Sequence, residues 1–301
     1  MARAVRNTSS DRALLIPTIL VVVLASAVHV CAQADPESRS WNRPIKPFRI
    51  IGNVYYVGAT EVSSYLIATP KGHILLDSGF EETVPQIQRN IAELGFQLSD
   101  IKILINSHAH YDHAGGLAAL KKLSGAKLMA TEADARLLAR GGKDDPNFGD
   151  RFIFPSVSVD TILRDGDKVE LGGVTIIAHV TPGHTPGCTT WAMKVTEGSK
   201  QYDVVFVGGV TAPGYKLVEN AAYPTIVEDY EHTFHVLKAL PCDVFLAAHP
   251  SAYSMLQKLK ISPNNGRNPF IDPDGYRRYV ADSERKFRDQ LQGQLTSSKP
   301  K

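Results

Sequence analysis

The sequence is poor in cysteine. It has three among 301 residues, Cys31, Cys188 and Cys242. Three cysteines are too few for a disulfide-stabilised scaffold, so a chain of this length must be held together by a hydrophobic core. Cys31 lies in a segment that we expect to be removed from the mature protein. The sequence leaves open whether Cys188 and Cys242 bridge each other; we expect free thiols.

The sequence also lacks a charge bias. Lys and Arg number 33 and Asp and Glu number 31, which gives a formal net charge of +2 with both signs mixed along the chain. No basic stripe is present that could neutralise phosphates, so we expect no nucleic-acid partner. The Gly-x-Ser-x-Gly motif of serine hydrolases is absent as well. These absences argue against a nucleic-acid-binding protein and against a serine hydrolase.

Only one long apolar run is present, and it lies near the start. Ala13 to Val30 is almost wholly apolar, three arginines precede it, and Ala32-Gln33-Ala34 is a small-x-small cleavage site. This arrangement is typical of a secretory signal peptide. The alternative is a membrane anchor, because the run is near the lower limit for spanning a bilayer. Pro17 and the polar stretch after Asp35 favour export with removal.

We therefore expect residues 1–34 to be a cleaved signal peptide and residues 35–301 to be a single domain. The mature protein is expected to be soluble in a periplasm, with no membrane anchor once the signal is removed. We expect it to be a monomer.

Histidines are concentrated in one short segment. His108, His110, Asp112 and His113 fall within six residues, directly after the apolar run Ile101–Ile105. A run that short and rich in branched residues predicts a buried strand, so the cluster begins where a strand ends. Imidazole and carboxylate are both zinc ligands. His108 and His110 point to one side of an extended chain, whereas the next turn can face a second point, so one loop can supply two metal sites.

The rest of the chain alternates short apolar segments with turns. Phe48 to Leu76 predicts a meander of antiparallel strands, and Glu82–Leu94 has helical spacing. Further strands and helices follow in a second, similar half. The expected strands lie at 169–180, 189–195 and 204–207, and the expected helices at 227–239 and 272–290. Such an order predicts sandwiched sheets with helices outside.

The pattern H-x-H-x-D-H followed by Gly-Gly resembles the metallo-β-lactamase superfamily, and it is most similar to subclass B3. The resemblance extends over nearly the whole mature chain. Its local marks are the loop around Asp112, Thr181–Cys188, Ala212–Tyr215, Ala248–Pro250 and Asn268–Phe270. It implies an α+β fold, the four-layer αβ/βα sandwich of that superfamily, and two zinc ions per chain as cofactor.

The resemblance also implies a set of metal ligands. These are His108, His110 and His184 for the first zinc, and Asp112, His113 and His249 for the second. His184 follows the predicted strand 169–180 and His249 follows a predicted strand at 244–246, as a site built along one edge of a sandwich requires. Each zinc would have three protein ligands and room for water, as a catalytic zinc does. The alternative for His184 and His249 is a turn histidine satisfied by hydrogen bonds.

The remaining polar candidates have weaker signals. Four other histidines are expected to be structural, namely His73, His179, His232 and His235. Asp77 ends a predicted strand, and in the superfamily an aspartate there supports the metal loop by hydrogen bonds, which would orient metal ligands. A plain turn aspartate is the alternative.

The segment after strand 204–207 distinguishes among the hydrolases of this superfamily. Gly208–Thr211 carries neither the bridging aspartate of glyoxalase II-like and lactonase-like members nor the metal-binding cysteine of subclasses B1 and B2. The resemblance therefore implies a secreted β-lactamase in which a zinc-bound hydroxide, oriented by Asp112, attacks the amide of β-lactams, carbapenems included. The alternatives are a secreted hydrolase of another lactone, ester or thioester, and a vestigial metal-binding module.

Substrate contacts are also inferred from the resemblance. In some subclass B3 enzymes two serines after this strand hold the antibiotic's carboxylate, and the matching positions are Gly209 and Thr211. Thr211 keeps a hydrogen-bond donor, whereas Gly209 has no side chain, so we expect altered carboxylate recognition. The loop Phe148–Phe154 and the turn Thr60–Val62 are expected to form walls of the cleft.

Overall fold

The computed structural model describes residues 1–2, 40–261 and 268–298. The predicted signal peptide with its cleavage site, and Cys31 within it, lie outside the described residues. No helix in the described part of the chain combines the length and the apolar character needed to span a bilayer. Cys188 and Cys242 are both free thiols.

The first sheet has seven strands that are arranged in chain order. They are β1 (Phe48–Ile51), β2 (Val54–Tyr56), β3 (Tyr65–Thr69), β4 (Gly72–Leu76), β5 (Ile101–Ile105), β6 (Lys127–Thr131) and β7 (Thr161–Leu163). Strands β1 to β4 form the predicted antiparallel meander. Strands β4 to β7 run parallel, and each parallel neighbour requires a helical crossover.

The second sheet has five strands in the order β12-β11-β10-β9-β8. They are β8 (Lys168–Leu171), β9 (Val174–Val180), β10 (Thr189–Glu197), β11 (Lys200–Val207) and β12 (Val244–Ala247). Strands β8 to β11 are antiparallel, and β12 pairs in parallel with β11. The order brings the carboxyl ends of β11 and β12 side by side.

Seven α-helices connect or flank these strands in the described residues. They are α1 (Val84–Glu93), α2 (Tyr111–Ala114), α3 (Leu117–Ser124), α4 (Glu132–Ala139), α5 (Ile226–Ala239), α6 (Met255–Lys258) and α7 (Pro273–Ser297). Short 3₁₀ helices lie at Glu81–Thr83, Leu98–Asp100 and Pro250–Tyr253. Helix α7 begins at an Asp272 cap, whose carboxylate accepts from the Gly275 N–H at 2.8 Å.

Two buried cores divide the molecule into layers. One joins the two sheets and includes Ile67, Ile74 and Ile105 of the first sheet with Trp191 and Phe206 of the second; it also takes in α5 and α7. The other lies on the opposite face of the first sheet, where Leu66, Leu75 and Leu104 meet α1, α3 and α4. Neighbouring strand residues go to opposite cores because strand side chains alternate. The predicted α+β, four-layer αβ/βα sandwich is confirmed.

Some boundaries differ from the sequence-based expectation. The segment 169–180 holds two strands, because Gly172 and Gly173 adopt φ values of 56° and 88° and make a turn between β8 and β9. Strand β7 was not expected; it is a three-residue edge strand, too short for a periodic pattern. Helix α7 continues past Gln290 to Ser297.

Candidate metal centre

The functional side chains come from strand ends. Asp77 follows β4, the His108–His113 loop follows β5, His184 follows β9 and His249 follows β12. The backbone carbonyl of Ser107 accepts from Thr189 N at 2.7 Å, which joins the metal loop of the first sheet to β10 of the second. All six predicted ligands therefore meet at one edge of the sandwich. Five of them are buried and His249 is half-buried.

The three histidines expected at the first metal face one another. His110 Nδ1 lies 3.1 Å from His184 Nε2. The ring centroid of His108 is 4.8 Å from that of His110 and 4.6 Å from that of His184. One nitrogen of each ring can thus reach a common ion, since the three ligand atoms lie within 4.8 Å of one another.

The three residues expected at the second metal also converge. His113 Nε2 lies 3.2 Å from Asp112 Oδ2 and 3.3 Å from His249 Nε2. The remaining pair, His249 Nε2 and Asp112 Oδ2, is 3.6 Å apart. The two groups adjoin, because the His108 ring centroid is 4.3 Å from that of His113. His108 also falls into a possible ligand group with Asp112 and His113.

In two of these rings, the nitrogen that faces away from the cluster lies against a backbone oxygen of the surrounding protein. His184 Nδ1 lies 2.6 Å from the Thr211 carbonyl and His249 Nδ1 lies 2.8 Å from the Glu61 carbonyl. A carbonyl can only accept, so each of these rings carries its proton on Nδ1 and turns a bare Nε2 inward. Metal-binding histidines are oriented in this way by their outer partners.

The loop itself is held by Asp77 and Ser107. Asp77 Oδ1 accepts from Ser107 N at 2.6 Å, and Asp77 Oδ2 lies 3.6 Å from His113 Nδ1. Ser107 Oγ lies 3.0 Å from His108 Nδ1. The buried Asp77 thus contacts both the first residue of the loop and the outer nitrogen of a predicted ligand. Its backbone lies in the left-handed region with φ 62°, which is uncommon for a residue other than glycine.

The donor set fits zinc. His108 Nε2 is fully buried and has no hydrogen-bond partner in the described part of the chain, although it faces the cluster. Burial lowers the pKa of His108 and His249, and it lowers that of His184 to about 3, with the neighbouring imidazoles adding to the effect. These rings are therefore neutral, which is the form that binds a metal.

His113 and Asp112, in contrast to the three neutral histidines, form a charged pair. Burial opposes charge on both, but their mutual contact outweighs it: the pKa of His113 rises to about 10, with Asp77 contributing, and that of Asp112 falls well below its usual range. Without metal the pair is thus an imidazolium beside a carboxylate. A zinc ion bound here would replace the proton of His113.

A family profile described as the Metallo-beta-lactamase superfamily matches residues 57–249, which is more than half of the chain. The chain belongs to the metallo-β-lactamase superfamily. The family predicted from the H-x-H-x-D-H loop is confirmed, and the protein is a metallo-β-lactamase-fold hydrolase with metal-binding His and Asp groups.

Solved structures of this superfamily are similar over most of the chain. Native FEZ-1 metallo-beta-lactamase from Legionella gormanii is 44% identical with a TM-score of 0.83, over 85% of this chain and 98% of that one. BJP-1, a subclass B3 metallo-beta-lactamase of Bradyrhizobium japonicum, is 40% identical with a TM-score of 0.82, over 86% and 98%.

The similarity to curated relatives is lower. Hydroxyacylglutathione hydrolase GloC of Haemophilus influenzae is 25% identical over 210 residues, which are 67% of this chain and 88% of that protein. The chain spans 41% and 27% of the length of the first two curated relatives that it matches. Those two matches therefore concern only part of each relative.

The predicted substrate-contact positions of this metallo-β-lactamase-fold hydrolase lie against His184. The Thr211 carbonyl accepts from His184 Nδ1 and from the Tyr230 hydroxyl, each at 2.6 Å, and the residue itself is exposed. Gly209 packs directly on the imidazole, because an added Cβ would lie 2.1 Å from His184 Cδ2. The backbone at these positions therefore shapes the first ligand group.

The expected cleft walls contact the metal loop. The Phe148 ring centroid lies 5.1 Å from that of His110, and Phe152 stacks on Tyr111 at 4.6 Å. In the turn Thr60–Val62, the Glu61 carbonyl holds His249. The four other histidines lie outside the metal-ligand groups found among the described residues; His73, for example, packs on Phe96.

Two residues beside the site were not predicted from the sequence. The buried Asp145 Oδ2 lies 3.4 Å from His110 Nε2, and the Tyr215 hydroxyl donates to the His184 carbonyl at 3.2 Å. Asp145 falls in the long loop after Gly142, where the sequence shows polar residues without a periodic pattern. Tyr215 is the last residue of the Ala-Pro-Gly-Tyr segment that supported the resemblance. That segment is the sequence feature from which a role for Tyr215 could have been predicted.

Proposed function

We propose that this hydrolase is a zinc β-lactamase of the subclass B3 type that hydrolyses the amide bond of β-lactam antibiotics, including carbapenems. The observation that carries the proposal is the convergence of five imidazoles and one carboxylate beside a backbone that supplies no further ligand. By the family resemblance, the strand end at Gly208–Thr211 is where other members carry a bridging aspartate or a cysteine, and this sequence has neither there. Cys188 is near but turns its Sγ to the backbone of Gly209, with Sγ 3.1 Å from Gly209 N.

The ligand set has room for two zinc ions per chain. Zinc, when bound, provides a hydroxide at neutral pH and polarises the carbonyl that is attacked. His108, His110 and His184 would hold one ion, and Asp112, His113 and His249 the other. The similarity to FEZ-1 and BJP-1 over almost their full lengths supports this assignment.

The chain's own residues then orient the reactants. Asp112 presents Oδ2 between His113 and His249; we infer that its carboxylate accepts a hydrogen bond from the attacking water and so fixes its direction. The neutral imidazoles keep their protons on the outer nitrogens and take none from the substrate. The exposed Thr211 hydroxyl would donate to the substrate carboxylate, while no second side chain assists it at Gly209.

A thioesterase is the second candidate, because GloC of Haemophilus influenzae, a hydroxyacylglutathione hydrolase, is similar over two thirds of the chain. The missing carboxylate at Gly208–Gly209 makes this activity the weaker proposal. A substrate panel separates the two: purified protein is loaded with zinc and assayed on a cephalosporin and on a hydroxyacylglutathione thioester. We expect hydrolysis of the cephalosporin alone. Thioester hydrolysis without cephalosporin hydrolysis would reverse the assignment.

We further propose that the protein is exported, released from residues 1–34 and active as a monomer in the periplasm. Support comes from the apolar run and the Ala32-Gln33-Ala34 cleavage site in the sequence. Expression of the full chain, cell fractionation and amino-terminal sequencing should place a product that begins near Asp35 in the periplasmic fraction. A product that keeps residues 1–34 in the membrane fraction would contradict the proposal.

A further inference from the structure

The loop between α4 and β7 contains a turn that is held by the buried carboxylate of Asp145. Asp145 is 7% exposed, and its Oδ1 accepts from the backbone N–H groups of Asn147 and Phe148, both at 2.8 Å. Its backbone also pairs with Gly149, whose N–H donates to the Asp145 carbonyl at 2.8 Å. Oδ1 of Asp145 thus accepts the hydrogen bonds of the turn, and Oδ2 is available for another contact.

That second oxygen faces His110. Asp145 Oδ2 lies 3.4 Å from His110 Nε2, and this nitrogen is buried without another hydrogen-bond partner in the described residues. A carboxylate oxygen accepts, so it favours the tautomer of His110 that carries its proton on Nε2. That tautomer leaves Nδ1 bare, and Nδ1 is the atom that lies 3.1 Å from His184 Nε2 inside the first ligand group.

The same turn also contacts His184. Asn147 Nδ2 donates to the His184 carbonyl at 3.4 Å. Phe148 packs on the His110 ring and, at 5.4 Å between centroids, on Tyr215, which in turn donates to the His184 carbonyl. Two of the three first-group residues are therefore contacted by Asp145 and by the two residues, Asn147 and Phe148, whose backbone N–H groups Asp145 binds.

We propose that Asp145 is a positioning residue of the first metal site. It fixes the tautomer and direction of His110, and through the turn that it orders it holds His184 in place. The proposal rests on metal binding at this site and is independent of the substrate that the enzyme hydrolyses. Removing an outer partner of a metal-bound histidine costs about 10- to 100-fold in metal affinity. Asp77, which faces His113 in the second group, is the counterpart of Asp145.

The variant Asp145→Asn isolates the contact with His110. The two backbone N–H donors require an oxygen, so the new amide keeps its oxygen on the turn and turns its NH₂ toward His110 Nε2. A donor there favours the tautomer with the proton on Nδ1, which cannot bind the metal through that atom. Asp150→Asn is the matched control, because it makes the same change in an exposed residue of the same loop, whose carboxylate accepts from Asp144 N at 2.9 Å and lies outside both ligand groups.

Two measurements test the proposal. Titration of the metal-free proteins with Zn²⁺ against a chromophoric chelator should show that Asp145→Asn weakens one of two binding steps by about 10- to 100-fold and that Asp150→Asn weakens neither. Imidazole ¹⁵N spectra of the metal-free proteins should show a proton on His110 Nε2 in the wild type and none on that nitrogen in Asp145→Asn. Unchanged zinc affinity, an equal loss at both steps, or an unchanged tautomer would overturn it.

Discussion

At the scale of single residues, the site is an arrangement of ring nitrogens whose outward partners are fixed. Thr211 and Glu61 hold their histidines through backbone carbonyls, whereas Asp77 and Asp145 face theirs through carboxylates. The resemblance implied the six inward-facing residues, of which four lie in one motif and two follow strands. It did not predict the carbonyl partners, because any residue type supplies a carbonyl and only the fold decides where it points.

The first residue-scale prediction concerns the proton on His113. Its pKa of about 10 in the metal-free protein means that the ring is charged at about pH 8, whereas His108, His184 and His249 are already neutral. Zinc binding should therefore release about one proton from His113. Zinc affinity at the second site should fall as the pH is lowered, since metal and proton compete. Calorimetry of zinc binding in two buffers of different ionisation enthalpy measures the release.

Asp77→Asn serves as the control for that experiment. It removes one of the two carboxylates that raise the pKa of His113, so the number of released protons should fall. Identical heats of binding in both buffers for the wild type would refute a charged His113.

The second residue-scale prediction concerns Gly209. In Gly209→Ala the new Cβ would lie 2.1 Å from His184 Cδ2, so the imidazole must move away from the first ligand group. We expect weaker zinc binding at one step and a loss of kcat, measured by titration of the metal-free protein and by steady-state kinetics. Gly293→Ala is the control, because a Cβ there meets nothing within 4 Å. Wild-type zinc affinity in Gly209→Ala would contradict the packing argument.

The third residue-scale prediction concerns Thr211. Thr211→Val removes the exposed hydroxyl but keeps the carbonyl that holds His184. We therefore expect KM for a β-lactam to rise more than kcat falls, while Thr211→Ser, which keeps a hydroxyl, should stay close to the wild type. Steady-state kinetics with one cephalosporin provides both constants. If KM is unchanged in Thr211→Val, the hydroxyl does not contact the substrate.

At the scale of secondary-structure elements, periodic segments were predictable and short or irregular ones were not. Strands β1 to β5 and helix α5 follow clear apolar patterns, and the structure has them within a few residues of the expected bounds. The long loop after Gly142 has no such pattern. Its shape depends on one buried carboxylate, Asp145, which binds two backbone N–H groups, and a local sequence pattern does not distinguish that aspartate from the exposed Asp144 beside it.

The element-scale prediction concerns the start of α7. Asp272 caps this helix and also pairs with Lys258 at 2.9 Å. Asp272→Asn removes the ion pair but keeps a capping oxygen, whereas Asp272→Ala removes both. The difference in the free energy of unfolding between the two variants should therefore equal the contribution of the helix cap alone, about 1 kcal/mol. Urea denaturation of the zinc-loaded proteins measures it, and equal stability of the two variants would mean that the cap contributes nothing.

At the scale of the whole molecule, the predicted metal site lies where the two sheets meet. The first sheet supplies His108 to His113, the second supplies His184 and His249, and each of the two predicted zinc sets draws residues from both sheets. Zinc that binds the folded but not the unfolded chain must therefore stabilise the packing of the two halves. The sequence predicted this layout through the resemblance, because the spacing of motifs along the chain does not itself show which strand ends meet.

The central claim is that these six residues form a zinc centre that hydrolyses β-lactams. The most direct test is hydrolysis of a carbapenem and a cephalosporin by the purified mature protein, with its zinc content measured, before and after treatment with EDTA. The account predicts turnover of both antibiotics by the protein with two zinc ions, loss of turnover with EDTA, and recovery when zinc is restored. Absence of turnover by protein that carries two zinc ions would contradict it.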